Sequence, residues 1–154
     1  MTTPTTTSAQ QGASKLWIQT GPLAFDHSLR GADRVREKVS EVPDLQIPFP
    51  GVWEVSYHAL HAVAVPANAA PPYLYIQTAL LKNGVLIPGS EAYSGTAGAN
   101  ATIRTTAGQT FLQTFDAGDV VTLHAYRIGQ GDAAVESSGD GGRTGVMAHW
   151  VSAV

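Results

Sequence analysis

The stretch IPFPGVWEVSYHAL, residues 47–60, decides the fold class. Its Pro50-Gly51 pair is a turn signal, and the residues that follow alternate in character. Trp53, Val55, Tyr57, Ala59, His61, Val63 and Val65 fall on one face of an extended chain, with Glu54, Ser56 and His58 on the other. Strand side chains alternate between faces with period 2, and β-branched and aromatic residues suit a half-buried pleated surface. A long strand with one buried side is therefore predicted, running as far as Val65.

Working outward, LWIQTGPLAF (16–25) reads as a first strand broken at Gly21-Pro22. In RGADRVREKVSEV (30–42), Ala32, Val35, Val39 and Val42 have helical spacing, yet RVREKVS also alternates. We assign it to a strand or irregular edge, because no strong N-cap precedes it. Residues 66–72 form a loop. YLYIQTALLKNGVLIPG (73–89) is a strand pair about Asn83-Gly84, a dipeptide suited to the positive φ angles of a tight hairpin turn. A Gly/Ala-rich loop then leads to a strand near 101–106. QTFLQTF (109–115) puts Phe111 and Phe115 on one face, and DAGD (116–119) is a turn. VVTLHAYRI (120–128) alternates Val121, Leu123 and Ala125 against Thr122, His124 and Tyr126. Residues 129–142 read as a long polar loop and 144–154 as a terminal strand. Eight to ten short strands without a convincing helix predict an all-β, antiparallel β-sandwich or jelly roll.

The bulk composition narrows the function. The 154 residues fit one folded domain, assigned to 31–154, behind an N-terminal anchoring segment (1–30) that carries the first strand. Residues 1–14 are rich in Thr, Ser, Gln and Ala and cannot bury enough apolar surface to order themselves, so we expect them to be pinned against another chain. Charged residues make up 14% of the chain, against about 25% in a typical soluble protein, which suits a surface partly covered by partners. A net charge of −3 and the lack of a basic stripe argue against nucleic-acid binding. With no cysteine there is no disulfide, thiolate metal site or cysteine nucleophile. MTTPTTTSAQQG lacks the basic and apolar regions of a signal peptide, and no run approaches the ~20 apolar residues of a membrane helix. No export signal and no membrane insertion are expected.

Several motifs resemble those of the C1q/TNF-like family over residues 45–154. FPGVWEVSYHAL is similar to that family's Pro-Gly-led aromatic strand, and LLKNG (80–84) to its Lys-Asn-Gly hairpin. TFLQTFDAGDVVTLHAY (110–126) resembles its Gly-Asp turn between paired strands, and AHWVSAV its closing strand. Trp53 stands where the family has Tyr or Phe, the closing Phe-Ser-Gly-Phe run is missing, and no collagen-like stalk precedes the domain. The resemblance implies a trimeric jelly roll with Tyr57, Phe111, Phe115, Tyr126 and Trp150 in the core or at the subunit seam. The plainer alternative is that all five fill the monomer core.

Little in the chain points to catalysis. His58 and His61 leave opposite faces of one strand and cannot share a metal without a bulge, while His124 and His149 lie on separate strands that could approach in space. Asp132, Glu136 and Asp140 are four apart, not at the alternate positions of an EF-hand loop. Ser94 lacks a nucleophile elbow, and GTAGAN lacks the ending and following helix of a phosphate loop. No catalytic set, metal site or cofactor is expected.

Two functions remain. The first is a structural virion protein of a tailed phage: a trimeric capsid-decoration, head-fibre or tail knob attached to capsid or tail subunits through its N-terminal segment. Trp17, Ile18, Leu23 and Phe25 would be the anchors, since aromatic side chains in desolvated pockets dominate such contacts. The alternative is a C1q-like recognition module at a bacterial cell surface. It would bind glycan or protein through loops 66–72, 93–100 and 129–142, with Tyr73 and Tyr93 stacking on sugars and Asp132 and Asp140 among the loop residues.

Overall fold

The computed structural model describes the backbone of residues 10–11 and the whole of residues 16–154. The expectation of a pinned tail over residues 1–14 otherwise lies outside the described residues. Thirteen strands and no helix are present among them. In chain order they are β1 (Gln10–Gln11), β2 (Trp17–Gln19), β3 (Phe25–Ser28), β4 (Glu37–Lys38), β5 (Leu45–Gln46), β6 (Gly51–Val65) and β7 (Tyr73–Lys82). They continue with β8 (Val85–Leu86), β9 (Ala92–Ala97), β10 (Ala101–Phe115), β11 (Val120–Gly129), β12 (Asp132–Ser137) and β13 (Gly145–Ser152).

These strands make two antiparallel sheets packed face to face. In the first, β6 is central: β10 pairs along its whole length on one side, while β13 and β12 share the other. Beyond β13 lie β2 and β1, and beyond β12 lies β3. In the second sheet β7 and β11 are central; β8 and β9 flank β7, and β4 and β5 flank β11.

The alternating residues of β6 enter the core as the sequence predicts. Trp53, Val55, Tyr57, Ala59, His61, Val63 and Val65 are all buried, against Leu74, Ile76 and Leu80 of β7 and Val121, Leu123 and Ala125 of β11. Each large apolar side chain hidden in this way stabilises the sandwich by about 1.5–3 kcal/mol. The Asn83-Gly84 hairpin also forms, with φ of 50° and 81° at its two turn residues.

Three segments differ from expectation. Residues 101–106 and 109–115 are one strand that runs through Gly108. That glycine is required because a β-carbon there would collide with the carbonyl oxygen of Tyr57 on β6. Part of the expected 93–100 loop is β9, and the 129–142 loop contains β12, whose Ala133, Val135 and Ser137 turn inward. Residues 30–42, in contrast, form an irregular edge as the sequence predicts: Val39 and Val42 are buried, Val35 is exposed, and Arg34 at φ 65° breaks any continuous face.

Candidate functional site

Among the described strands, β10 has the longest unpaired side. Among the described residues it pairs only with β6, leaving its other side as a sheet edge of 15 residues, about 50 Å long. Folded proteins blunt such edges with charges, prolines, bulges or short strands. β10 has no proline, no break in register with β6, and Arg104 as its one charged residue. Ile103 is 38% exposed and Leu112 61% exposed.

Register places Thr102, Arg104, Thr106, Gly108, Thr110, Leu112 and Thr114 on the outward face of the first sheet, beside the outward residues of β6. That face is paved with small groups. Ala62, Ala64 and Thr102 line a groove of about 640 Å³, where Arg104 pairs with Glu136. A second hollow of about 220 Å³ opens over His58, Gly145 and Met147. This face, bordered by an open strand edge and carrying the groove with its Arg104–Glu136 pair, is the surface best suited to contact another subunit.

A polar chain runs through the core beneath it. His61 places Nδ1 2.6 Å from Ser94 Oγ and Nε2 3.0 Å from Thr78 Oγ1, and Tyr57 donates its hydroxyl to Ser90 O at 2.6 Å. Burial pushes the His61 imidazole down to about 4 and the Tyr57 hydroxyl up to about 12. A histidine so weakly basic makes a poor proton acceptor for Ser94, and Thr78 rather than a carboxylate holds its far nitrogen. The pair satisfies buried polar groups and ties β6 to β7 and β9.

Opposite β10, the sandwich is closed by a charged clasp that the sequence did not reveal. His27 on β3 lies 2.7 Å from Glu41 through Nδ1 and 3.0 Å from Glu37 of β4 through Nε2. Burial alone would lower the His27 pKa, but hydrogen bonds and charges from Glu41 and Glu37 outweigh it and raise the value. Fourteen residues separate His27 from Glu41, so only the folded edge brings them together.

The predicted site residues are distributed as follows. Tyr57 and Phe115 are buried in the core, with Phe111 and Trp150 half-buried against it. Tyr126 is outside the single-chain core: Ala125 is the inward residue at that point of β11, so Tyr126 faces outward from the second sheet. Of the anchors, Ile18 is buried in this chain's own core rather than offered to a partner, and Leu23 and Phe25 pack half-buried against that core. The cause is pairing, since β2 joins β13 and β3 joins β12. Trp17 remains half-exposed on the outward face of the first sheet.

Loops 66–72, 98–100 and 129–131 do meet at one end: Asn100 N–H donates to Pro66 O, Gly98 N–H to Pro72 O, and Gln130 N–H to Tyr73 O. Asp132 starts β12 and Asp140 sits in the separate turn closed by Ser138 and Gly142, so they do not share a loop with Tyr73 and Tyr93. His124 and His149 point from the outer faces of opposite sheets. Among the described residues, no cluster of three or more histidines and carboxylates is arranged to hold a metal ion.

No protein-family model and no curated protein matches the chain by sequence. Among solved structures, Eiger TNF from S. frugiperda aligns with a TM-score of 0.53 at 7% identity, over 96% of this chain and 92% of that one. With its two antiparallel sheets and central β6, the chain has the fold of a TNF-like jelly roll.

Proposed function

We propose that the chain is a structural component of a tailed-phage particle: a homotrimeric capsid-decoration, head-fibre or tail knob. The observation that carries it is the open β10 edge. A strand about 50 Å long that carries one charged residue and exposes Leu112 stays soluble and specific when a second copy covers it. Three copies related by a closed rotation would each lay β10 against the outward face of the next first sheet, covering the β10 edge. Further support comes from the low charge content of the chain. Because Ile18, Leu23 and Phe25 serve this chain's own sandwich, attachment to capsid or tail subunits is assigned to residues before Leu16 together with Trp17.

The test is to purify particles from producing cells and identify the chain in them by mass spectrometry, then repeat with a chain lacking residues 1–15. Recovery of the full-length chain on particles, and loss of the truncated one with its trimer intact, is expected. A full-length chain never found on particles contradicts the proposal.

One observation favours the second reading, a recognition module: loops 66–72, 98–100 and 129–131 gather at one end of the sandwich. Binding of the free trimer to a cell surface, unaffected by removing residues 1–15, would distinguish it.

A further inference from the structure

Four of the five tyrosines stand on the outward face of the second sheet, the face turned away from β10 and β6. Tyr73 and Tyr75 come from β7, Tyr93 from β9 and Tyr126 from β11; Tyr57 alone is in the core. In register, Tyr93 lies opposite Gln77, and Gln77 opposite Tyr126, so one row crosses three strands.

Hydrogen bonds lock that row. Gln77 Nε2 donates to the Tyr93 hydroxyl at 2.8 Å, and the Tyr93 and Tyr126 hydroxyls lie 2.7 Å apart. The Arg36 guanidinium donates to Gln77 Oε1 and sits 5.2 Å from the centre of the Tyr126 ring. Gln77 is buried beneath this network, yet Tyr93 above it is 57% exposed. In the next row Tyr75 lies opposite Gly95. A β-carbon on that glycine would be 2.6 Å from Tyr75 Cδ1, so the ring leans into the space the glycine leaves. The Tyr73 ring centre is 5.8 Å away from that of Tyr75.

Rings fixed in orientation but left uncovered add little to folding stability, and they lose little freedom when something stacks on them. The surroundings are cationic. Arg34 and Arg36 both act on the Tyr126 hydroxyl, and neither pairs with a carboxylate among the described residues. Arg34 holds a left-handed backbone at φ 65°, and Arg36 Nε is buried without an acceptor. Strain and an orphaned donor beside an exposed aromatic row are features that a bound ligand would explain.

We propose that this face binds an acidic saccharide, stacking a sugar ring on Tyr93 and Tyr75 and holding its carboxylate or phosphate with Arg34 and Arg36. The C–H face of a pyranose matches the electronegative face of an aromatic ring, its hydroxyls match the tyrosine and glutamine row, and its acid matches planar guanidinium groups. A protein partner fits less well, because a stable protein interface needs about 800 Å² per side around a largely apolar centre, and this row is narrow and polar. Tyr75, Tyr93, Arg34 and Arg36 lie outside loops 66–72, 98–100 and 129–131, and the site does not depend on trimer formation.

Calorimetric titration of the intact protein with a uronic-acid hexamer, glucose 6-phosphate and a neutral glucose hexamer tests it. At least one acidic probe is expected to bind with Kd below about 1 mM, and the neutral hexamer at least about tenfold more weakly. Tyr93→Ala and Arg34→Gln should each weaken the acidic probe about tenfold or more, while Asn68→Ala in the apical loop and Leu112→Ser on the opposite face should not. Unchanged near-ultraviolet circular dichroism establishes that each variant is folded. Equal binding of the neutral hexamer, no binding of either acidic probe, or indifference to both Tyr93→Ala and Arg34→Gln overturns the proposal. Loss of binding only in Asn68→Ala also overturns it, and moves the ligand to the apical loops.

Discussion

Asn83 donates from Nδ2 to Asp119 Oδ1 at 2.8 Å, and its own Oδ1 accepts the Val120 N–H at 2.9 Å. The β7–β8 turn is thereby tied to the turn between β10 and β11. Asp119 Oδ2 in addition accepts the Asp116 N–H at 2.7 Å and faces Lys82 Nζ at 3.4 Å. Asp119→Ala leaves the Asn83 amide and the Asp116 N–H without these partners and is expected to destabilise the fold by about 2–3 kcal/mol. Urea unfolding measures this; a loss under about 0.5 kcal/mol, the range of an ordinary surface change, contradicts it.

Gly108→Ala sets a β-carbon against the Tyr57 carbonyl, and the clash is with backbone that cannot rotate away. A loss of about 3 kcal/mol or more is expected, since β10 and β6 must separate to admit it. Gly139→Ala, with only the flexible end of Arg143 nearby, is the matched control and should change stability by less than about 0.5 kcal/mol. Equal effects at the two glycines would show that β10 does not pack as described.

Stability is expected to peak near pH 6.5. Burial holds His61 at about 4 in the folded protein, so as pH falls from 6.5 the unfolded chain takes up that proton first. Folding weakens from pH 6.5 down to about 4, by an amount on the order of 3 kcal/mol. For His27, burial opposes the proton but Glu41 and Glu37 more than compensate, so its folded value is raised. Its contribution is complete below pH 6.5 and is lost as pH rises through that raised value. Urea midpoints from pH 4 to 9 measure both limbs. His27→Gln should flatten the alkaline limb and leave the acid limb; no change in the alkaline limb would remove the clasp from the account.

Strong periodicity made β6 and β11 legible in the sequence, because each buries one face along most of its length. The hairpin at Asn83-Gly84 was legible for a local reason, the positive φ its residues tolerate. Gly108 and Gly95 misled for a shared reason: a glycine that lets a neighbouring backbone or ring approach looks, in sequence, like one that ends a strand. β12 was hidden between Gly131 and Gly139, with only Ala133, Val135 and Ser137 marking its inward face. The His27 clasp and the Tyr93–Gln77–Tyr126 row join residues 10 to 49 positions apart, and no local pattern reports which strands become neighbours. Ile18, Leu23 and Phe25 were visible as apolar residues, but sequence could not say whether they serve this chain's core or another's.

Leu112 separates assembly from folding. It projects from the outward face of β10 opposite Glu54 and is mostly exposed in the single chain. Leu112→Glu should therefore change monomer stability by no more than about 0.5–1 kcal/mol, while placing like charges at each subunit contact. A folded monomer is expected, seen as unchanged far-ultraviolet circular dichroism with a reduced mass. A Leu112→Glu protein that keeps the wild-type mass would move the interface away from this face.

The most direct test is sedimentation equilibrium of the intact chain at micromolar concentration. A single species of three times the 16.1 kDa chain mass is expected, formed by β10 of each copy lying against the first sheet of the next. A species that stays at 16.1 kDa over that range would contradict the assembly on which the proposed function rests.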